Sequence, residues 1–274
     1  MLNHCPFDRD LIAFRSNVDR LDRVWPKLLS SGFVKNPIEK LWAGYQIVRD
    51  AFITAELGGL DVDKPALLMK AKETCLAHFK LNTSKFEVAE FEIDGHNYES
   101  KTQNGKYQVG IGSWLEAWSL AVISRDDIAI ATLCQFGKED LQRDGMGCNA
   151  FDEALLAMVK GMYDPNVDMK ALIIDVMEKS DPQYIQADHQ NFTYQLLLPF
   201  ANVLTTVMSK AAERKFQEGM AKALVAHQKF WSLKEFESLP RGWISLPLSA
   251  AMVLAKDHRN YNLSEDSTYL LRVS

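Results

Sequence analysis

The chain has 274 residues, of which 47% are hydrophobic and 24% charged, values ordinary for a globular protein with a sizeable core. Its net charge of −5 argues against non-specific nucleic-acid binding, which needs a basic surface. The four cysteines form no CxxC pair, the N-terminus carries charge at residues 8–10 and no apolar run approaches a membrane span, so we expect a cytoplasmic protein with reduced thiols and no membrane contact.

Apolar residues recur at steps of three and four along most of the chain, which is the period of an amphipathic helix. Ser113 is a candidate N-cap, and Pro199 should kink or split the helix that contains it. The pattern predicts an all-α fold in one domain, residues 1–274, with a solenoid-like stack of helix pairs as an alternative. The predicted helices cover 10–29, 38–57, 64–80, 114–123, 125–136, 151–162, 167–178, 187–209, 211–231 and 246–256.

One segment departs from the helical period. Between residues 86 and 108, Asp94-Gly95 and Asn104-Gly105 are turn dipeptides, and Phe91 and Ile93 alternate with polar residues. The segment therefore predicts a small β-hairpin or an irregular insertion.

This insertion is strongly acidic. Residues 86–99 contain no Lys or Arg. Such an edge could steer a basic partner electrostatically, although a solvated hairpin with ordinary surface charge is the simpler explanation. We take the insertion as a candidate protein-binding surface, with five carboxylates as its contacts: Glu87, Glu90, Glu92, Asp94 and Glu99.

Signatures of catalysis are missing from the sequence. It has no GxxxxGK[ST], GxSxG or HExxH motif. Cys75 and His78 lie at i and i+3, but zinc needs three or four ligands. His189, between Asp188 and Asn191, suits a helix surface, and His227 on an apolar face suits a core. We expect no catalytic residue, metal or cofactor.

Three segments together resemble the immunity protein 49 family of bacterial polymorphic toxin systems. They are residues 112–123 (GSWLEAWSLAVI), residues 216–231 (FQEGMAKALVAHQKFW) and the C-terminal block 244–270. Leu271 stands where the family usually has proline, which puts the geometry of that end in doubt. The family's motif positions are matched in this sequence by Trp114, Leu115, Phe216, His227, Ser267 and Tyr269. Their spacing suits a structural role as well as a binding role.

The resemblance implies a helical, cytoplasmic, non-enzymatic protein that binds the toxin encoded by a neighbouring gene and blocks its active site. The toxin's chemistry is not implied; the acidic net charge hints at a basic, nuclease-like domain. The protein is expected to be a monomer or a homodimer. Three alternatives stay open: a helical adaptor for another protein, an enzyme with a metal site in a helical bundle, and an enzyme that reverses the toxin's product.

Overall fold

The computed structural model describes residues 11–32, 37–83, 87–102, 110–141, 148–263 and 267–271. It is helical apart from one two-stranded hairpin, so the predicted all-α class is confirmed. The predicted turn at Asn104-Gly105 and Phe86, the first residue of the predicted insertion, lie outside the described residues. The chain divides into two compact units, Cys5–Met146 and Gly147–Ser274; the expectation of a single domain stays a prediction.

The first unit is built on two long helices that pack along each other. They are α2 (Pro37–Gly58) and α3 (Lys64–Thr83). Helix α1 (Leu11–Lys27) lies on α2 and buries a stripe of Phe14, Val18, Leu21 and Trp25. Because these apolar residues are spaced three and four apart, they share one face of the helix.

Three further helices belong to this unit. They are α4 (Ile111–Ile123), α5 (Asp127–Cys134) and α6 (Lys138–Leu141). Helix α4 is buried almost all round, including Trp114 and Trp118, as expected of a helix inside a core. It begins at Ile111 with Gly110 as its N-cap, so the prediction of Ser113 as N-cap is wrong.

The predicted hairpin is confirmed between α3 and α4. Strand β1 (Val88–Ile93) pairs antiparallel with β2 (His96–Lys101), and Ile93 stands opposite His96. The two-residue loop, Asp94-Gly95, has positive φ at both positions (54° and 74°), which is the requirement of a type I′ hairpin turn. The dipeptide identified from the sequence therefore sets the register.

Over the described residues, the second unit contains five helices longer than ten residues: α7 (Ala150–Gly161), α8 (Met169–Lys179), α9 (Leu198–Met208), α10 (Glu213–Trp231) and α11 (Leu246–Arg259). One turn (Gln190–Phe192) and a π-helix (Thr193–Leu197) lead directly into α9. Pro199 lies in the first turn of α9, where it needs no backbone N–H. The helix changes from π to α beside this proline while the backbone at Leu197 and Leu198 stays helical, so the predicted kink or split stays a prediction.

The segment after α11 packs against the second unit. Backbone N–H of Ser245 donates to the carbonyl of Tyr269 (2.8 Å), and that of Leu271 donates to Oγ of Ser249 (3.0 Å). Tyr269 is fully buried. These two bonds hold residues 269–271 against the start of α11, as the apolar residues of this tail predict.

Candidate protein-binding surface

The two faces of the hairpin differ completely in character. Residues directly opposite each other share a face, so Phe91 and Tyr98 lie on one face and Glu90 and Glu99 on the other. Phe91 and Ile93 are buried, whereas Glu90, Glu92 and Glu99 are exposed. The alternation along β1 thus separates an anchoring face from an acidic face.

The anchoring face holds the hairpin on the first unit. The rings of Phe91 and Tyr98 stack with centroids 5.4 Å apart, and the Tyr98 hydroxyl donates to the carbonyl of Leu29 at 3.1 Å. Burial, followed by the charge of Asp94, raises the pKa of Tyr98, so this hydroxyl stays protonated at neutral pH. The hairpin therefore presents its other face to solvent from a fixed position.

We call the outer side of the hairpin, formed by Glu90, Glu92 and Glu99, the acidic face. Glu90 and Glu99 are directly opposite each other across the strands, an arrangement that costs stability because like charges repel. Among the described residues, none of the three carboxylates forms an ion pair. Lys101, opposite Val88 at the open end of the hairpin, is the one cation on this side within residues 87–102.

Asp94 is directed differently from the other predicted contacts. Its carboxylate accepts from Nε1 of Trp25 (2.9 Å) and pairs with Nζ of Lys70 (3.2 Å), while its backbone N–H donates to Oε2 of Glu73 (2.9 Å). These bonds fasten the turn to α1 and α3. Glu87 precedes β1 and is exposed, and its carbonyl accepts from the N–H of Thr102. The structure thus gathers Glu90, Glu92 and Glu99 on one face and ties Asp94 to the helices.

Two of the family positions lie inside the first unit. Trp114 is fully buried, and its Nε1 donates to the carbonyl of Leu133 at 3.2 Å, which joins α4 to the end of α5. Leu115 is 1% exposed. Both side chains therefore support packing and are inaccessible to a partner.

The other four family positions lie in the second unit. Nε2 of His227 donates to the carbonyl of Gly242 (2.9 Å), and its ring contacts Tyr269 edge-on at 5.3 Å. Phe216 is fully buried and packs against Tyr261. Oγ of Ser267 accepts the N–H of Tyr269. His227 is thus the core histidine expected from its helix face, joining α10, the 240–242 turn and the C-terminal tail.

A buried polar cluster between α2 and α4 was not predicted. The Tyr45 hydroxyl donates to Oε2 of Glu116 at 2.5 Å, and Nη1 of Arg49 lies 3.4 Å from the same oxygen. Burial, followed by the charge of Glu116, raises the pKa of Tyr45 well above its usual value. The signal was a glutamate inside an otherwise apolar helix, because such a residue needs a buried partner.

The Cys75 and His78 pair does not resemble a metal site. Burial raises the pKa of the Cys75 thiol, and His78 forms its bonds with the carbonyl of Ile38 (3.3 Å) and with Asn82 (3.2 Å). In the part of the chain that the structure describes, no three His, Cys, Asp or Glu side chains are grouped as metal ligands.

His189 also has a partner that its sequence neighbours did not reveal. Nδ2 of Asn149 lies 3.3 Å from Nδ1 of His189 and 3.1 Å from Oδ2 of Asp152. Burial raises the pKa of Asp152. Asn149 is also the N-cap of α7 and accepts the N–H of Gln186. This cluster ties the start of α7 to the 186–189 turn.

Comparison with known proteins identifies one family. The model of a family described as Immunity protein 49 matches residues 61–270, which is most of the chain and includes residues of both units. Searches among curated proteins and among solved structures gave no match. Over the described residues, no helix combines the length and the apolar character needed to cross a membrane.

Proposed function

Because the chain belongs to the immunity protein 49 family, we propose that it neutralises a cognate bacterial toxin by binding the toxin domain and covering its active site. The family match carries this proposal. It agrees with a fold in which the family positions, such as Trp114 and His227, build the core and leave the surface for a partner. The chemistry of the toxin is not specified by the match.

We propose the acidic face as a contact for the toxin. Three unpaired carboxylates on a rigid two-stranded platform attract a basic groove and accelerate its association. The opposed pair of Glu90 and Glu99 gives this choice additional support, since a repulsive arrangement costs stability unless a cationic partner relieves it. Asp94 and Glu87 lie beside this surface, and Asp94 mainly holds the turn in place.

The first test is co-expression with the toxin-like product of the neighbouring gene. Cell survival together with a complex that co-purifies supports neutralisation by sequestration. Survival without a complex favours enzymatic reversal of the toxin's product. Absence of both, with a toxin shown to be active, contradicts the proposal and favours an adaptor for another protein.

The second test is charge reversal on the acidic face. The variant E90K/E92K/E99K should slow association with the toxin by at least about tenfold and reduce its dependence on salt. A matched control is D61K/D188K/E235K, which changes the net charge equally at three other exposed carboxylates. If both variants bind with equal rates, net charge and not this face governs association.

A further inference from the structure

Helix α8 is unusually exposed for an apolar helix. Its sequence is MKALIIDVMEK, and Val176 is its one buried residue. Ile174 is 46% exposed and Met177 is 38% exposed. Single exposed apolar residues are normal on a protein surface, whereas a group of them marks a contact site.

Two exposed apolar side chains of α8 are neighbours. Ile174 and Met177 are three residues apart and therefore lie on the same side of α8. Val167 (37% exposed) precedes the N-cap Asp168, and Tyr184 (37% exposed) follows the helix, its ring 4.3 Å from Nζ of Lys179. We call Ile174 and Met177, which share one exposed side of the helix, the α8 ridge.

A different side of α8 packs against α7, so the ridge is not needed to hold α8 in place. Leu172, Met169 and Val167 surround Gly161 so closely that a Cβ on this glycine would lie 2.5 Å from Cδ1 of Leu172. Val176 is completely buried. Helix α8 is thus fixed on α7 while the ridge is exposed.

The surroundings of the ridge are acidic. Residues 163–184 contain two lysines and five carboxylates, namely Asp164, Asp168, Asp175, Glu178 and Asp181. Asp168 and Asp181 accept backbone N–H groups as caps, and none of the five forms an ion pair among the described residues. An apolar ridge with an acidic rim complements an apolar patch bordered by Lys and Arg.

Resting on the proposed function, we infer that the α8 ridge is a second contact surface for the toxin, one that binds an apolar patch ringed by basic residues. The rim argues for this occupant. A second copy of the chain would bring the same carboxylates together, and an anionic lipid surface would repel them. Apolar contacts at the centre of an interface mainly slow dissociation, whereas rim charges speed association.

The test compares two paired variants of the full chain for binding to the toxin-like product of the neighbouring gene. I174S/M177Q removes both apolar side chains of the ridge. V225S/L233Q changes two apolar residues of the same unit that are 52% and 39% exposed and lie outside it. Surface plasmon resonance should show that I174S/M177Q dissociates at least about tenfold faster, whereas V225S/L233Q stays within about twofold of wild type.

Two further measurements complete the expected result. Hydrogen exchange of residues 167–184 should slow in the complex. D175N/E178Q should mainly slow association and reduce its salt dependence. Circular dichroism of each variant establishes that it is folded, since exposed substitutions alter stability little.

Three results would overturn the inference, and they are distinguishable. If I174S/M177Q binds like wild type while E90K/E92K/E99K binds weakly, the ridge is not a contact although the proposed function holds. If the wild-type chain binds no active toxin, the proposed function fails and the ridge assignment fails with it. If the wild-type chain is a dimer that I174S/M177Q converts to a monomer with unchanged toxin binding, the ridge joins two copies.

Discussion

At the residue scale, His78 shows how burial sets a protonation state. Its Nδ1 faces the carbonyl of Ile38, which can only accept, so Nδ1 carries the proton, and Nε2 accepts from Nδ2 of Asn82. The ring is 2% exposed. Burial lowers the pKa of His78 from 6.5 to about 4. The neutral ring therefore satisfies both bonds, and a second proton would remove one of them.

This state predicts a pH dependence of stability. Because the folded pKa lies below the unfolded one, the unfolded chain binds the extra proton first, and the stabilisation is complete above pH 6.5 and declines as the pH falls towards 4. The full loss is about 3 kcal/mol. Urea denaturation across this range should show a flatter profile for H78Q than for wild type, and H258Q, at an exposed histidine, should keep the wild-type slope. An unchanged slope in H78Q contradicts the assignment.

Gly242 is required at its position by a neighbour. A Cβ there would lie 2.5 Å from Cδ2 and 2.6 Å from Cε3 of Trp231, whose indole is buried. The carbonyl of the same residue accepts from His227, so the turn cannot retreat without losing this bond. The family position His227 thus constrains a glycine that has no distinguishing signal in its local sequence.

Gly242→Ala should therefore destabilise the protein by about 1–3 kcal/mol, the usual cost of overpacking a core. The measurement is the free energy of unfolding in urea. Gly219→Ala is the matched control, because its Cβ would meet Val203 at an ordinary 3.9 Å and alanine is the better helix former; it should leave stability unchanged or raise it. Equal stability of both variants would show that the Trp231 ring can move aside.

At the element scale, the acidic face of the hairpin lowers its stability, whereas the anchoring face stabilises it. Phe91→Ala should cost about 3 kcal/mol, because it empties a buried site beside Tyr98. Glu90→Gln, one residue away on the outer face, should slightly raise stability by removing the repulsion from Glu99. Thermal unfolding and hydrogen exchange of residues 88–101 measure both effects. A stabilised F91A or a strongly destabilised E90Q would reverse the assignment of the faces.

The elements predicted best from the sequence are those with local signals. The apolar stripe of α10, which includes Phe216, Met220, His227 and Trp231, is buried, because a helical stripe is set by spacing alone. The dipeptide Asp94-Gly95 identified the hairpin turn because a turn signal is likewise contained in adjacent residues. Ser113 was misassigned because capping competes with burial: Ile111, 7% exposed, is drawn into the core and starts the helix earlier.

Contacts distant in sequence were not predictable. Nothing near Asp94 in the chain indicates that Trp25 and Lys70 bind its carboxylate. No signal in the sequence assigns Asp94 a different role from the other four acidic residues of the segment. Likewise Asn149 and His189 are 40 residues apart. Such pairs depend on tertiary packing, and one sequence records periodicity but not which faces meet.

At the scale of the whole molecule, recognition of the family and recognition of the partner rest on different residues. Five of the positions that carry the family resemblance, Trp114, Leu115, Phe216, His227 and Tyr269, are buried, and Ser267 holds the tail through a hydrogen bond. They specify a fold. The proposed toxin contacts are surface carboxylates and the α8 ridge, where substitution changes the partner with little effect on the core, so a shared family does not fix a shared toxin.

Neutralisation by sequestration makes a quantitative prediction for the whole protein, because each molecule can block only as many toxins as it binds. With toxin held well above the dissociation constant, residual toxin activity should fall linearly as the protein is added and reach zero at a fixed stoichiometric ratio. The variant E90K/E92K/E99K weakens the complex, so its titration curve should bend gradually near the endpoint. The control variant D61K/D188K/E235K should keep a sharp endpoint. An enzyme that reverses the toxin's product would instead protect at a small fraction of one equivalent and more fully with time, so time-independent, stoichiometric inhibition separates the two mechanisms.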